Sequence, residues 1–238
     1  MPAIFPGRID LPNAQSHHVR DVLRLKPGDL LELFDDAGNV AVGEIAQVTS
    51  AGVAVLVNHV AAATTEHFQL TIASAIPKGT RADWLIEKLS ELGVGRFIPL
   101  ETDRSVTLPR GPGKTGRWAR LAEEAARQSR RAGVMKIDEL TLLRDLLARV
   151  AEREFERACH LSTEPRSPTL FGALEKLPRS LLLLIGPEGG WTIQEQSRFN
   201  DLRIGGCRLT RSILRIETAA ITAAAIVLSM QSEAPPSN

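Results

Sequence analysis

The sequence predicts an α/β protein preceded by a smaller all-β unit, and three observations carry that prediction. Beyond residue 70 the chain alternates short apolar runs with amphipathic stretches, the pattern of strands covered by helices. Within that part, Leu181 to Ile185 contains no polar residue, so it reads as a strand buried on both faces in the middle of a parallel sheet. Residues 1–70 instead show alternating apolar runs divided by turn signals. A length of 238 residues, 43% hydrophobic and 24% charged, bounds the chain to one large or two small globular domains.

In chain order, the first unit (1–70) opens with "HHVRDVLRLK", a small basic helix carrying Arg20, Arg24 and Lys26. "KPGD" then places Pro before Gly, as a type II turn wants. Strands follow around Leu30 to Phe34, Val40 to Val48 and Val53 to Val60, separated by "DDAGN" and "TSAG". The second unit (71–238) begins with the helix of "PKGTRADWLIEKLSELG": Thr80 caps it, Leu85, Leu89 and Leu92 share a face, and Gly93 ends it. "RFIPL" reads as a strand, and the next helix buries Trp118, Leu121, Ala122 and Ala125 while its arginines face outward. "PRGPGKTG" and "SEAPPSN" read as flexible or disordered.

After the Leu181 strand, Thr192 followed three residues later by Glu195 is a capping-box pattern that starts a helix. A short strand around Cys207 to Thr210, a loop through Arg215 and a helix from Ile216 to Met230 complete the chain's regular structure. That helix is almost wholly Ala, Ile, Thr, Val and Leu. A helix apolar on every side is buried all round, either in the core or against another chain.

The loop "GPEGG", residues 186–190, joins a strand's carboxyl end to a helix's amino end. Ligands bind at such places in open α/β sheets, although a tight connector has the same composition. Phosphate is disfavoured: no Lys-Ser/Thr follows the glycines, and the charge of Glu188 would repel it. A nucleoside-like ligand without phosphate fits better. Arg215 and Glu217 flank the last helix beside the same crevice, or simply cap it.

Other classes are bounded by what the sequence lacks. Neither a signal-like opening nor a membrane-spanning run is recognisable. Cys159 and Cys207 read as buried thiols of a cytosolic protein, and the five histidines show no metal-site spacing. His17 and His18 read as surface or polyanion-facing residues rather than metal ligands. The net charge of +1 is uninformative, but its distribution is not. Residues 104–136 hold nine basic side chains (Arg104, Arg110, Lys114, Arg117, Arg120, Arg127, Arg130, Arg131, Lys136) against Glu123 and Glu124. Such a stripe suits a polyanion, whose counterions it releases, or is a solvated helix face.

"IGPEGGW" followed by "SILRIETAA" resembles the signature of the RsmE-type RNA methyltransferases of the SPOUT class. The likeness extends through "HHVRDVLRLKPGD", "PKGTRADWLIEKLSELGVGRFIPL", "RSV" and "RWARLAEEAARQSRR", and departs from the family's usual last loop at Thr210 and Ser212. The resemblance implies methylation of N3 of a uridine in 16S (small-subunit) ribosomal RNA with S-adenosylmethionine as cofactor. It also implies a PUA-like β-barrel over residues 1–70, a trefoil knot in the C-terminal sheet and a cytoplasmic homodimer, with no membrane or metal involved. The alternatives are a SPOUT enzyme acting on another RNA such as tRNA, or a non-catalytic RNA-binding factor.

By the same resemblance, Leu161 and Thr163, then Ile185, Gly186, Pro187, Glu188 and Gly190, then Leu209, Thr210, Ile213, Leu214, Arg215 and Thr218 form the donor pocket. Arg215 would stabilise the uracil oxygen, and Glu217 would take the N3 proton or, the preferred reading, orient Arg215. Residues expected to meet RNA are Arg8, His17, Arg20 and Arg24 in the first unit, and Lys78, Arg81, Arg104, Arg127, Arg130 and Arg131 beyond it. The last three are expected on one helix face opposite Trp118.

Overall fold

The computed structural model describes residues 3–35, 39–61, 68–108, 113–129, 131 and 133–232. The chain divides into two compact units, Met1–His67 with Arg130–Gly133, and Phe68–Ser129 with Val134–Asn238.

In the first unit, strands β1 (Gly7–Asp10), β2 (Leu30–Phe34), β3 (Val40–Val48) and β4 (Val53–Ala61) form an antiparallel sheet in the order β1-β4-β3-β2. Val53, Val55 and Val57 face a core with Ile9, Leu11, Val19, Leu33 and Ile45, the alternation a half-buried strand imposes. Gly43 lies so close to β4 that a Cβ there would collide with the Val55 side chain, beside a register shift in β3. The expected turn at "KPGD" is present: the Asp29 amide donates to the Lys26 carbonyl (3.0 Å), and Gly28 has φ +94°.

The expected basic helix is shorter and broken. Helix α1 covers only Asn13–His17 and passes into a π-helical turn, His18–Val22, after which Arg24 turns left-handed at φ 54°. The reason lies downstream, because Lys26 precedes Pro27 and is excluded from the helical region, so the chain must leave the helix before it. The Leu25 amide closes the exit on the Val19 carbonyl (3.1 Å).

The second unit is built on a seven-stranded parallel sheet. Its strands are β5 (Gln69–Ser74), β6 (Arg96–Glu101), β7 (Lys136–Ile137), β8 (Thr141–Leu142), β9 (Arg157–Leu161), β10 (Ser180–Ile185) and β11 (Gly205–Cys207). The order is β11-β9-β10-β5-β6-β7, with β8 also on β6. Leu181, Leu183 and Ile185 point into one apolar layer and Leu182 and Leu184 into the other, which explains a strand without a polar residue. Each such side chain contributes about 1.5–3 kcal/mol by leaving water.

Helices α2 (Arg81–Leu92), α3 (Gly113–Gln128) and α7 (Ile216–Ser232) cover the first face, and α4 (Leu143–Ala151) and α6 (Ile193–Asp201) the second. A single turn, α5 (Leu170–Ala173), joins the first layer.

Several sequence expectations are corrected. Thr80 has helical rather than extended angles and no capping bond from its side chain. Gly93 does end α2 left-handedly at φ 112°, but Leu92 beside it is 37% exposed, and Ile86 joins Leu85 and Leu89 in the core. Residues 113–116 of "PRGPGKTG" are the first turn of α3. The 109–112 part, and 233–238 of "SEAPPSN", lie outside the described residues. Strand β11 spans Gly205–Cys207 rather than Cys207 to Thr210, because its partner β9 ends opposite Cys207 at Leu161.

Helix α7 is not buried all round within one chain. Ile216, Ala220, Ala223, Ala224 and Val227 form its buried stripe, while Thr218 and Ser229 are exposed and Thr222 and Ala225 half-buried on the other side.

Candidate active site

In a parallel sheet all carboxyl ends share one edge, and the loops leaving β9, β10 and β11 enclose a cavity of about 630 Å³ there. That size falls within the roughly 300–1,000 Å³ usual for small-molecule sites. Its walls are His160 to Glu164, Ile185 to Trp191 and Leu209 to Leu214, with Gln196 and Asn200 of α6 and Ile216 and Ala219 of α7. A second concavity, of about 820 Å³, lies at the opposite, amino ends of β9 and β11 beside Arg153 and Arg203, away from the glycine loop.

The glycine loop is shaped by its neighbours. The Gly190 amide donates to the Pro187 carbonyl (2.9 Å), and Gly190 has φ +68°, where a side chain is strained. Gly186 is needed for a different reason: a Cβ there would lie 2.9 Å from the Trp191 ring. Trp191 is itself fixed, its Nε1 donating to the Leu161 carbonyl (3.0 Å) and its ring packing edge-on against Phe199. The capping box is complete, with Thr192 Oγ1 accepting from the Glu195 amide (3.2 Å) and Glu195 Oε2 accepting from the Thr192 amide (2.7 Å).

A loop from another strand braces this segment. Following β6, the Asp103 amide donates to Glu195 Oε1 (3.1 Å), Thr192 Oγ1 hydrogen-bonds Asp103 Oδ2 (3.1 Å), and Arg104 Nη1 donates to the Gly189 carbonyl (2.6 Å).

Most expected donor-pocket residues come together. Leu161, Thr163, Ile185, Gly186, Pro187, Glu188, Gly190, Leu209, Thr210, Ile213 and Leu214 all line the cavity; Arg215 and Thr218 are exposed and do not. Sequence reasoning missed His160, Trp191, Gln196 and Asn200. The ring of His160 stacks on Phe199 with centroids 4.7 Å apart, and burial lowers its pKa below the ordinary 6.5, so it is neutral at pH 7. A hint was available, since Gln196 and Asn200 are four apart on the helix that the capping box starts.

Glu217 is corrected most sharply. Its carboxylate, only 6% exposed, meets Arg81 Nη1 at 3.4 Å, so the arginine it orients is Arg81 rather than Arg215. Arg81 Nε also donates to the Lys78 carbonyl (3.3 Å).

The expected RNA-facing residues are dispersed in role. Arg8 donates to Gln47 Oε1 (3.0 Å), His17 Nδ1 lies 2.5 Å from Asp21, and Arg20 holds the Thr49 and Ser50 carbonyls (3.1 Å each) while pairing with Asp21. Arg24 and Lys78 are exposed. Arg127 faces solvent on α3, 3.9 Å from Glu123. Arg131 does not share that face: α3 ends at Gln128, and Arg131 is half-buried, its pKa lowered by burial. Arg110 and Arg130 lie outside the described residues.

Cys159 and Cys207 are buried free thiols on adjacent strands. A hydrogen bond with Cys159, and then burial, raise the Cys207 pKa and keep that thiol protonated. Among the described residues no cluster of His, Cys, Asp and Glu could hold a metal ion, and no helix is long and apolar enough to cross a membrane.

Comparison with known proteins places this architecture. Residues 64–228 match the model of an RNA methyltransferase domain, and residues 11–56 that of an RNA methyltransferase PUA domain. The chain is 34% identical over 231 residues to ribosomal RNA small subunit methyltransferase E of Bacillus subtilis, covering 91% of this chain and 88% of that protein. The corresponding protein of Synechocystis is 33% identical, covering 93% and 73%. Among solved structures, the Neisseria gonorrhoeae ribosomal RNA small subunit methyltransferase E bound to S-adenosyl methionine superimposes with a TM-score of 0.77 at 25% identity, covering 96% and 94%. A putative Legionella pneumophila methyltransferase with bound cofactor SAM gives 0.72 at 27%, covering 96% and 95%. Matched by both domain models and by these proteins along nearly its whole length, the chain belongs to the RsmE-type family of RNA methyltransferases, in the SPOUT class.

Proposed function

We propose that the protein methylates N3 of a uridine in small-subunit ribosomal RNA, with S-adenosylmethionine as donor. The observation that carries the reading is the cavity itself, formed by the three expected loops in a chain one-third identical to curated members across its length. Its residues fit that donor: Ile185, Leu161, Leu209 and Leu214 provide an apolar wall for a nucleoside, and Glu164 and Glu188 suit cationic rather than phosphate groups. When bound, the donor supplies a methyl group on a positively charged sulfur that leaves as a neutral thioether.

The chain's task is positioning and charge. Gly186 to Gly190 admit the donor against bare backbone, and neutral His160 and Trp191 wall off water. Arg215, exposed where the last loop meets α7, offers a cation to the oxygen of a uracil losing its N3 proton. The uridine must be turned out of its stack to reach it, and basic surfaces supply the necessary binding energy.

A trefoil knot belongs to this reading, supported by β11 lying beside β9 although it follows β10, and by three loops meeting at one cavity. So does a cytoplasmic homodimer packed on the outer face of α7, where Thr222 and Ala225 are incompletely covered and Ile213 nearby is 83% exposed. The first unit serves as the PUA-like RNA-binding module.

The test is methyl transfer from labelled donor to unmodified 16S rRNA and, separately, to tRNA, with the site mapped by reverse transcription. A methyl on N3 blocks base pairing, so extension should stop at one uridine. Labelling of tRNA alone, or absence of donor binding, would overturn the proposal.

A further inference from the structure

Arg104 belongs, by its position in a basic segment, among residues expected to meet RNA, yet its side chain is used elsewhere. Nη1 donates to the Gly189 carbonyl at 2.6 Å. The aliphatic stem covers the same glycine: a Cβ on Gly189 would lie 3.3 Å from Arg104 Cδ and 3.4 Å from its Cβ. Both approaches fall in the loop that lines the cavity.

The neighbours of Arg104 hold the same segment. The Asp103 amide and carboxylate reach Glu195 and Thr192 at 3.1 Å each, and the loop is closed internally by the Thr102 amide donating to Ser105 Oγ (3.0 Å). Glu195 is buried, so the capping box anchors this loop to the start of α6. The glycine loop is therefore held at its far end by the capping box and at its middle by Arg104. Between these points lies Gly190, whose left-handed backbone is one that glycine adopts without strain.

We infer that Arg104 is a positioning residue for the donor-binding loop, holding Gly189 so that the backbone from Gly186 to Gly190 is set before the donor arrives. The inference rests on the donor assignment proposed above. It differs from an RNA role in a measurable way, because a phosphate contact acts through charge and counterion release, whereas a clamp on a carbonyl acts through the guanidinium's geometry. Removing the clamp makes binding order the loop at its own cost.

Arg104→Ala is expected to weaken S-adenosylmethionine about five- to tenfold by calorimetry, the loss typical of one net hydrogen bond, since exposure offsets the gain from charge. KM for the donor should rise more than kcat falls, and the slope of log RNA affinity against log salt should stay unchanged. Arg104→Lys keeps the charge but not the planar fork, so it should restore donor binding only partly. Gly189→Ala, at a position with no positive φ, should weaken the donor by displacing Arg104, and should cost much less in the Arg104→Ala background. Wild-type donor affinity in folded Arg104→Ala would overturn the inference, and a salt slope shallower by about one unit would then make Arg104 a phosphate contact. Failure of the donor assignment itself would show in the wild-type protein, which would give no titration.

Discussion

Glu217 directs its buried carboxylate to Arg81, 136 residues earlier in the chain, and not to Arg215 two residues before it. The pair ties the start of α7 to the start of α2, beside the loop that closes the cavity.

Glu217→Ala should therefore destabilise the protein by about 1–3 kcal/mol in denaturant unfolding, less than a fully buried pair because Arg81 is partly exposed. Glu217→Gln should keep most turnover. A roughly hundredfold loss of kcat with an unchanged melting curve would instead make Glu217 the proton acceptor.

Gly190→Val should abolish donor titration while the protein stays folded. The backbone at φ +68° resists a β-branched residue by about 1–2 kcal/mol, and apart from its chain neighbours nothing lies within 4 Å of the added Cβ, so the side chain fits at the cavity wall without a clash. Wild-type titration by the folded variant would remove the glycine loop from the pocket.

The capping box illustrates what was legible in the sequence. Thr192 and Glu195 are three residues apart, and their reciprocal bonds depend only on local geometry. The Leu181 strand was equally legible, since a run with no polar residue admits burial on both faces. Arg81 with Glu217 and Arg104 with Gly189 were not, because nothing local links residues 136 and 85 positions apart. Thr80 shows the converse failure: the right residue type stands ahead of α2, but its backbone is already helical, so the hydroxyl cannot turn back to cap. Arg131 failed for a similar reason, α3 ending at Gln128 before the periodicity that grouped it with Arg127.

The basic face that α3 presents includes, among the described side chains, Arg117, Arg120 and Arg127, all exposed. Changing all three to Ala should leave donor binding intact, lower rRNA affinity and flatten its salt dependence by about one unit for each phosphate these arginines neutralise. An unaltered slope would make this a solvated face and shift RNA binding to Arg20 and Arg24.

Sedimentation at micromolar concentration should give twice the chain mass of 25.9 kDa. Ala225→Arg, placed on the half-covered side of α7, should yield monomer with native circular dichroism. A wild-type monomer would remove the dimer.

Glu154 gives a pH signature. Hydrogen bonds from Arg149 (2.6 and 2.7 Å) and then Arg96 (2.6 Å) lower its pKa from 4.5 to about 2. The resulting stabilisation is fully present above pH 4.5 and is lost as pH falls towards 2. With the side chain 34% exposed, screening reduces it to about 1 kcal/mol. Glu154→Gln should lower the urea midpoint at pH 7 but not near pH 2, and a constant difference across that window would refute the assignment.

The cavity wall is distributed along the chain from His160 to Ala219, its last loop following the short edge strand β11. A nascent polypeptide halted before residue 209 already contains the PUA-like unit, all seven strands of the parallel sheet and the basic face of α3, yet it lacks one wall of the cavity and the helix α7 that covers the sheet's first face. On the proposed function, the donor site is complete only when these last residues are in place, and a ligand that binds only the finished state holds the molecule there by mass action.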